Sequence, residues 1–206
     1  MKSRIEWTTV LFLFFTTLAS VTIIPYYAMT YGVHLSIVLF GLIFGVATNL
    51  SITAGYHRLF AHKAYDANRW VKWLYVLIGS AAFQGSVMKW SSDHRRHHAN
   101  EDTDQDPYSI NKGFFYAHIE WLFYKESADQ PIHAPDLAND KLLALQNKYY
   151  GLFAFGCGFV FPTLVGWALG SAIEGFLFGG VLRAVLTMHS TFLVNSLAHT
   201  WGRRPY

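Results

Sequence analysis

Residues 7–56 decide the fold. They read WTTVLFLFFTTLASVTIIPYYAMTYGVHLSIVLFGLIFGVATNLSITAGY and run from Trp7 to Tyr56 without one Asp, Glu, Lys or Arg. A helix crossing the hydrocarbon core of a bilayer takes about 20 predominantly apolar residues, so this stretch holds two crossings. Proline, aromatics and glycine from Pro25-Tyr26-Tyr27 through Tyr31-Gly32 supply the turn between them. Two more apolar blocks follow, Tyr149 to Ile173 and Gly175 to His199, separated by Gly170-Ser171-Ala172. The expected spans are 7–27, 32–54, 149–169 and 174–197. The fold class is all-α: an integral membrane four-helix transmembrane bundle, with cytoplasmic or interfacial helices carrying the histidines described below. Large buried helices in a soluble protein are the alternative, but an uncharged apolar run of about 18 residues already favours a span.

Composition agrees. Hydrophobic residues make up 52% of the 206, aromatics 17% and charged residues 14%, where a soluble domain carries about a quarter charged. The length suits one domain, 1–206. A net charge of +3 gives no reason to expect a nucleic acid partner. The lone Cys157 excludes an intramolecular disulfide, a CxxC redox pair and a zinc ribbon. Lys2 and Arg4 stand where a signal peptide carries its basic residues, but the apolar stretch after them is too long and runs into a second span, so a retained anchor is expected. Apart from Arg183, the remaining basic residues fall in the N-terminus, the 58–148 segment or the tail. The positive-inside rule therefore assigns both termini and the middle segment to the cytoplasm. Trp73 to Met88 is also uncharged, yet a crossing there would put histidines on opposite faces of the membrane. Its neighbours Lys72 and Lys89, with Gln84, Gly79 and Gly85, suit a helix lying at the interface.

The ten histidines are clustered. One set is His57-Arg-Leu-Phe-Ala-His62, a second His94-Arg-Arg-His97-His98, a third Asn195-Ser-Leu-Ala-His199. At about 100° per helical residue, His94, His97 and His98 share one face, as do Asn195 and His199. His57 and His62, five apart, lie about 140° from each other on an ideal helix and converge only where the helix bends or ends. Imidazole suits Fe, Zn, Cu and Ni. Histidines without a cluster of carboxylates or thiols exclude Mg²⁺, Ca²⁺ and a Cys-type zinc site. Neither Glu-x-x-His nor HExxH occurs, which removes the carboxylate-bridged di-iron pattern and the zincin proteases. A multi-histidine site at a membrane face points instead to redox iron that activates dioxygen. Glu101, Asp102, Asp104 and Asp106, with Asp93, read equally as solvated loop or as carboxylates supporting the ligating imidazoles. His34, His118 and His133 read as surface or packing residues, and His189 as a hydrogen-bonded core residue. Arg183, inside the fourth span, reads as paired within the bundle or snorkelling.

At these residues the chain resembles the membrane fatty acyl-CoA desaturases of the stearoyl-CoA delta-9 type. The matching stretches are Gly55-Tyr-His-Arg-Leu-Phe-Ala-His62, Ala82-Phe-Gln84, Trp90-Ser-Ser-Asp-His-Arg-Arg-His-His98, Asp104-Gln-Asp-Pro-Tyr108 and Val194-Asn-Ser-Leu-Ala-His-Thr-Trp-Gly-Arg-Arg-Pro-Tyr206. The resemblance implies two iron ions (Fe²⁺/Fe³⁺) held by His57, His62, His94, His97, His98 and His199, with Asn195 holding a metal-bound water. It implies Gln84 and Trp90 beside the acyl thioester and chain, and Arg95 beside the CoA phosphates. The implied reaction is O₂-dependent insertion of a cis double bond, at delta-9, into a saturated acyl-CoA, in unsaturated fatty acid biosynthesis within membrane lipid. With no GxGxxG, P-loop or haem motif in the chain, an electron donor protein is implied, of ferredoxin or cytochrome b5 type with its reductase. The family carries a further HxxHH box beyond the stretch that here ends at Tyr206, and the chain has none. The expectation is a domain incomplete at its C-terminus that binds iron weakly, or an inactive relic. A histidine-box hydroxylase is the enzymatic alternative, distinguished by its product. A histidine-lined metal transporter would place ionisable residues across several spans at the midplane, and spans one to three have none.

Overall fold

The computed structural model describes residues 4–125 and 131–202. Lys2, and residues 203–206 at the end of the tail motif, lie outside the described residues. In chain order the helices are α1 (Trp7–Tyr31), α2 (Leu35–Ala61), α3 (Arg69–Ser80), α4 (Val87–Ala99), α5 (Phe114–His118), α6 (Pro135–Ala138), α7 (Lys141–Lys148), α8 (Tyr150–Ala168) and α9 (Ala172–Thr200). Among the described residues there is no strand, only an isolated antiparallel bridge between Ile5 and Tyr124. α1, α2, α8 and α9 are long and apolar enough to cross a membrane. The all-α bundle with four such helices is as the hydropathy predicts. At 12 residues, α3 is about 18 Å long and too short to cross.

Two of the predicted ends differ by four residues or more, for local reasons. α1 does not stop at 27 but continues to Tyr31. Pro25 has no N–H, and its ring presses on the carbonyl four residues back, at Val21. The helix breaks there, at Thr22 (φ −122°, ψ −68°), and resumes at Ile23. Hydrogen bonds from Thr22 N to Leu18 O (3.0 Å) and from Tyr26 N to Thr22 O (3.1 Å) carry the ladder across the break, as an apolar solvent demands. The turn is left to Gly32, at φ +73°. α2 runs past the expected 54 to Ala61, and its last eleven residues, Ser51–Ala61, are π-helical.

The bundle is joined at both ends and in the middle. α8 and α9 touch backbone to backbone: a Cβ on Gly166 would lie 2.4 Å from the Gly175 Cα, so only glycine permits this approach. At the turns, the His34 backbone N–H donates to Glu174 Oε2 (2.8 Å) and its Nδ1 meets Oε1 at 2.9 Å, tying α2 to α9. In the interior, Arg183 is 3% exposed. Its guanidinium donates to the carbonyls of Gly179 (3.0 Å), Gly158 (3.0 Å) and Ala81 and sits 5.0 Å from the Phe44 ring centroid. The intramembrane charge is thus paired with carbonyls, not snorkelling, and it binds α8, α9 and the turn after α3. At the other end, fully buried Gln146 of α7 donates to Tyr56 Oη and Ser80 Oγ (3.0 Å each) and accepts from Val87 N (3.0 Å). One amide therefore fixes α2, α3 and α4 relative to each other.

Candidate metal centre

The histidine sets share a position that their spacing does not reveal: each closes a helix. His57 and His62 end α2, His94, His97 and His98 end α4, and His199 lies in the last turn of α9. The last carbonyls of a helix carry its negative dipole end, which favours a cation. α4 begins at the Ser86 hydroxyl, which accepts from Lys89 N at 3.1 Å.

The π-helical end of α2 resolves the five-residue spacing. A π-turn closes i→i+5, and the His62 N–H donates to the His57 carbonyl at 2.9 Å. The two side chains come to one face after a full turn, with ring centroids 4.5 Å apart. They meet His94, whose ring lies 4.6 Å from His57 and 5.0 Å from His62. His62 Nε2 is 2.9 Å from His94 Nε2, and His98 Nε2 is 3.0 Å from the same atom. An ion bonded to nitrogen at about 2.1 Å, with neighbouring ligands at right angles, holds those nitrogens about 3.0 Å apart. The donor atoms of His57, His62, His94 and His98 all lie within 4.8 Å of one another, so these residues fit a transition-metal ion. Burial and the neighbouring imidazoles of His57, His98, His62 and His97 lower the His94 pKa to about 2. Burial, His62 and His97 also lower that of His98. Both rings stay neutral at physiological pH, the form that binds metal.

His97 does not join that group. Box two shares one helical face, but His97 turns to a second group with His199 and Glu101, whose donor atoms also lie within 4.8 Å of one another. The His97 and His199 rings are 5.6 Å apart. His97 Nδ1 meets buried Asp106 Oδ2 at 2.9 Å, and His199 Nδ1 meets Asp102 Oδ1 at 3.3 Å. The first contact is a hydrogen bond that holds the proton on His97 Nδ1 and leaves its Nε2 as the donor. Burial pushes the Asp106 carboxyl up. Hydrogen bonds from His97 and from the backbone N–H groups of Asp102 (3.0 Å) and Tyr108 (3.2 Å) outweigh it and hold the group below the usual carboxylate range. Of the acidic run, Asp106 therefore supports an imidazole, and Asp102 lies beside one. Asp93 instead pairs with Lys89 at 2.8 Å.

A cavity of about 750 Å³ leads to the first of these groups. Its wall is mainly apolar, with Phe12 and Leu13 of α1, Ile52 of α2 and Met188 and Phe192 of α9, and it reaches His57, His94 and Asn195. Trp90 stacks on His94 (centroids 4.8 Å apart) and donates from Nε1 to Gln84 Oε1 at 3.2 Å. Gln84 Nε2 donates to Thr191 Oγ1 at 2.8 Å. Trp90, Gln84 and Thr191 thus form one polar bridge from α4 to α9 across the cavity wall; no spacing in the sequence singles out Thr191. Arg95 points elsewhere. It donates to the Ala61 and Phe60 carbonyls (2.9 Å each) and to both carboxylate oxygens of Asp136 (2.7 and 3.0 Å), so it caps the π-helical end of α2. Outside the two groups, the His133 backbone N–H donates to Ser92 Oγ (2.7 Å). His118 Nε2 meets His189 Nδ1 at 3.0 Å and its Nδ1 meets Ser196 Oγ at 3.0 Å, joining α5 to α9.

A helical membrane bundle with two adjacent histidine-based, metal-competent groups, one of them on the wall of an apolar cavity, is the class of protein that the fold and site define. The fatty acid desaturase family model matches residues 32–206, and the chain belongs to that family. It is 39% identical over 171 residues to the "Probable acyl-CoA desaturase" of Schizosaccharomyces pombe, covering 82% of this chain and 36% of that one. It is 38% identical over 166 residues to "Stearoyl-CoA desaturase 5" of Bos taurus (77% and 50%). It is 39% identical over 177 residues to the "Acyl-CoA Delta(11) desaturase" of Spodoptera littoralis (82% and 52%). The chain spans about half or less of the length of these relatives.

Proposed function

We propose that this chain forms the membrane and histidine-box part of an O₂-dependent di-iron acyl-CoA desaturase that introduces a cis double bond, at delta-9, into a saturated acyl chain. The observation that carries the reading is the apolar cavity whose wall includes His57, His94 and Asn195. Its volume lies in the range that encloses most of a small ligand's surface. Two iron ions held by His57, His62, His94 and His98 and by His97 and His199 would supply the O₂ activation that removes hydrogen from an unactivated methylene. The chain's own residues do the rest. The apolar walls take the acyl chain out of water, and the Trp90–Gln84–Thr191 bridge sets which methylene lies beside the histidines. Asp106 holds the His97 Nε2 toward the metal. Asn195, on the cavity wall, would hold a water bound to the metal. Arg95 supports box one from behind, and a CoA phosphate would share its guanidinium with Asp136. The electrons come from a ferredoxin- or cytochrome b5-type donor at the cytoplasmic face, where the basic residues gather.

The test is gas chromatography of fatty acid methyl esters from cells that produce the protein in a form carrying the family's further HxxHH box, grown with and without O₂. An O₂-dependent rise in monounsaturated chains, with the bond at C9, is expected. A hydroxylated product would assign the site to the hydroxylases, and a bond at another carbon would correct the position alone.

A further inference from the structure

The turn from Ala81 to Ser86, between α3 and α4, holds a backbone that its sequence does not favour. Phe83 takes a left-handed φ of +57°, a region in which the Cβ is crowded and which bulky residues rarely occupy. Gly85, two residues on at φ +90°, is the residue such a conformation ordinarily uses. At 83 a ring stands instead, and its surroundings fit it. The ring centroid lies 5.0 Å from that of Phe12 in α1 and 4.9 Å from that of Phe159 in α8. Its tip reaches Gly158, where an added Cβ would lie 2.3 Å from Phe83 Cζ, and the two flanking rings limit how far it can swing. Arg183 donates to the carbonyls of both Ala81 and Gly158, so one guanidinium holds the backbone on each side of this contact. Beyond Phe83, the Gly85 N–H donates to Tyr150 Oη (3.0 Å) and the Ser86 hydroxyl to Asn147 Oδ1.

Phe83 also lines the cavity, directly before Gln84. We propose that Phe83 sets the register of the acyl chain against the histidines: its ring, seated on Gly158, holds the strained turn that aims Gln84 at Trp90 and Thr191. That role rests on the desaturase reading and adds to it the residue that positions the polar bridge. The line of contact is continuous. Gln84 accepts from Trp90 Nε1 (3.2 Å) and donates to Thr191 Oγ1 (2.8 Å), and Trp90 stacks on His94. A φ of opposite sign at 83 turns Gln84 away from both partners, because a backbone dihedral moves everything that follows it. Strain of this kind persists only where the surroundings over-determine it, and it gathers at functional sites. The methylenes of an acyl chain carry no polar group that tells one from another, so the shape of the wall must choose among them. A reacting group misplaced by about 1 Å loses about 100-fold in rate.

The experiment locates the double bond, by mass spectrometry of dimethyl disulfide adducts, in fatty acids from cells making the form that carries the further HxxHH box. Phe83→Ala, Gly158→Ala and the double variant are compared with wild type at equal protein level. Wild type gives one positional isomer. Each single variant gives a mixture with bonds at neighbouring carbons, and total product falls by up to about 100-fold. The double variant matches Phe83→Ala, because a methyl at 158 meets nothing once the ring is gone, and the two changes fail to add. Less product with the bond unmoved assigns Phe83 to packing alone and overturns the proposal, as do additive effects in the double variant; the desaturase reading then stands. Wild type making no unsaturated product overturns that reading as well. A second measurement needs no turnover: hydrogen exchange of the ¹⁵N-labelled indoles of the 206-residue chain in detergent. Phe83→Ala is expected to speed exchange of the Trp90 indole N–H by about tenfold or more, as its hydrogen bond to Gln84 opens. The indole of Trp70, which is 80% exposed, stays as in wild type and reports that the variant is folded. A Trp90 indole as protected in Phe83→Ala as in wild type overturns the proposal whatever the products.

Discussion

At the scale of single residues, the split of box two makes its three histidines distinguishable. His94 and His98 belong with His57 and His62, whereas His97 belongs with His199 and Glu101. His94→Ala and His98→Ala are therefore expected to lose one bound metal ion and keep the spectrum of the other, and His97→Ala to do the reverse. His133→Ala should keep both, because only its backbone is engaged, with Ser92. Metal analysis and Co²⁺ spectra of the purified variants check this, and identical losses from His94→Ala and His97→Ala would contradict two separate groups. Asp106→Asn is expected to weaken the His97 position by about 10–100-fold through lost orientation of the ring. That measurement separates Asp106 from a surface residue, whose replacement shifts stability by about 0.5 kcal/mol or less.

At the scale of elements, two clamps position the site. Arg95 and Lys63 both hold Asp136, at 2.7 and 2.9 Å, joining α4, the end of α2 and α6. Hydrogen bonds from Arg95, ahead of the opposing effect of burial, hold the Asp136 carboxyl well below the usual range. An acid depressed on folding adds stability above its unfolded pKa of about 3.9, and that stability fades as pH falls toward the folded value. Thermal unfolding in detergent should show Asp136→Asn less stable than wild type at neutral pH, with the difference shrinking below about pH 4. A difference that grew on acidification would have the wrong sign. The second clamp is Arg183, whose loss strands the Ala81, Gly158 and Gly179 carbonyls in an apolar interior. Each unsatisfied buried group costs about 1–3 kcal/mol, so Arg183→Leu is expected to lose about 3 kcal/mol or more. Arg183→Lys, with one ammonium in place of a planar fork, should retain only part of it. Wild-type melting in Arg183→Leu would show that the carbonyls find other partners.

At the scale of the molecule, the ends of the bundle are set by contacts between segments far apart in the chain. Glu6 N donates to Phe123 O and Lys125 N to Arg4 O, both at 2.8 Å, so the segment before α1 and the middle segment meet at one end. At the other end, His34 and Glu174 join the two hairpin turns. Together with the basic residues, this arrangement gives a topology prediction. Reporter fusions at Tyr31 and Ala172 should read as external, and a fusion at Asp104 as cytoplasmic. An external Asp104 would mean that residues 73–88 cross the membrane after all and that box one and box two cannot meet.

The sequence by itself determined what depends on neighbours along the chain. The four spans are visible because the apolar character of about 20 consecutive residues fixes the transfer into lipid. Box two is visible because its imidazoles, three and four apart, share a helical face. Tertiary structure decided the rest. Spacing says which residues share a face but not what that face meets, so the assignment of His97 to His199, about a hundred residues away, followed only from the packing of α9 against the α4 loop. The π-turn that aligns His57 with His62, the carbonyls around Arg183 and the engagement of Arg95 with α2 and Asp136 have the same origin. Each satisfies backbone or charged groups that must find partners inside an apolar bundle, and which partners are near is a property of the packed helices, not of any one of them.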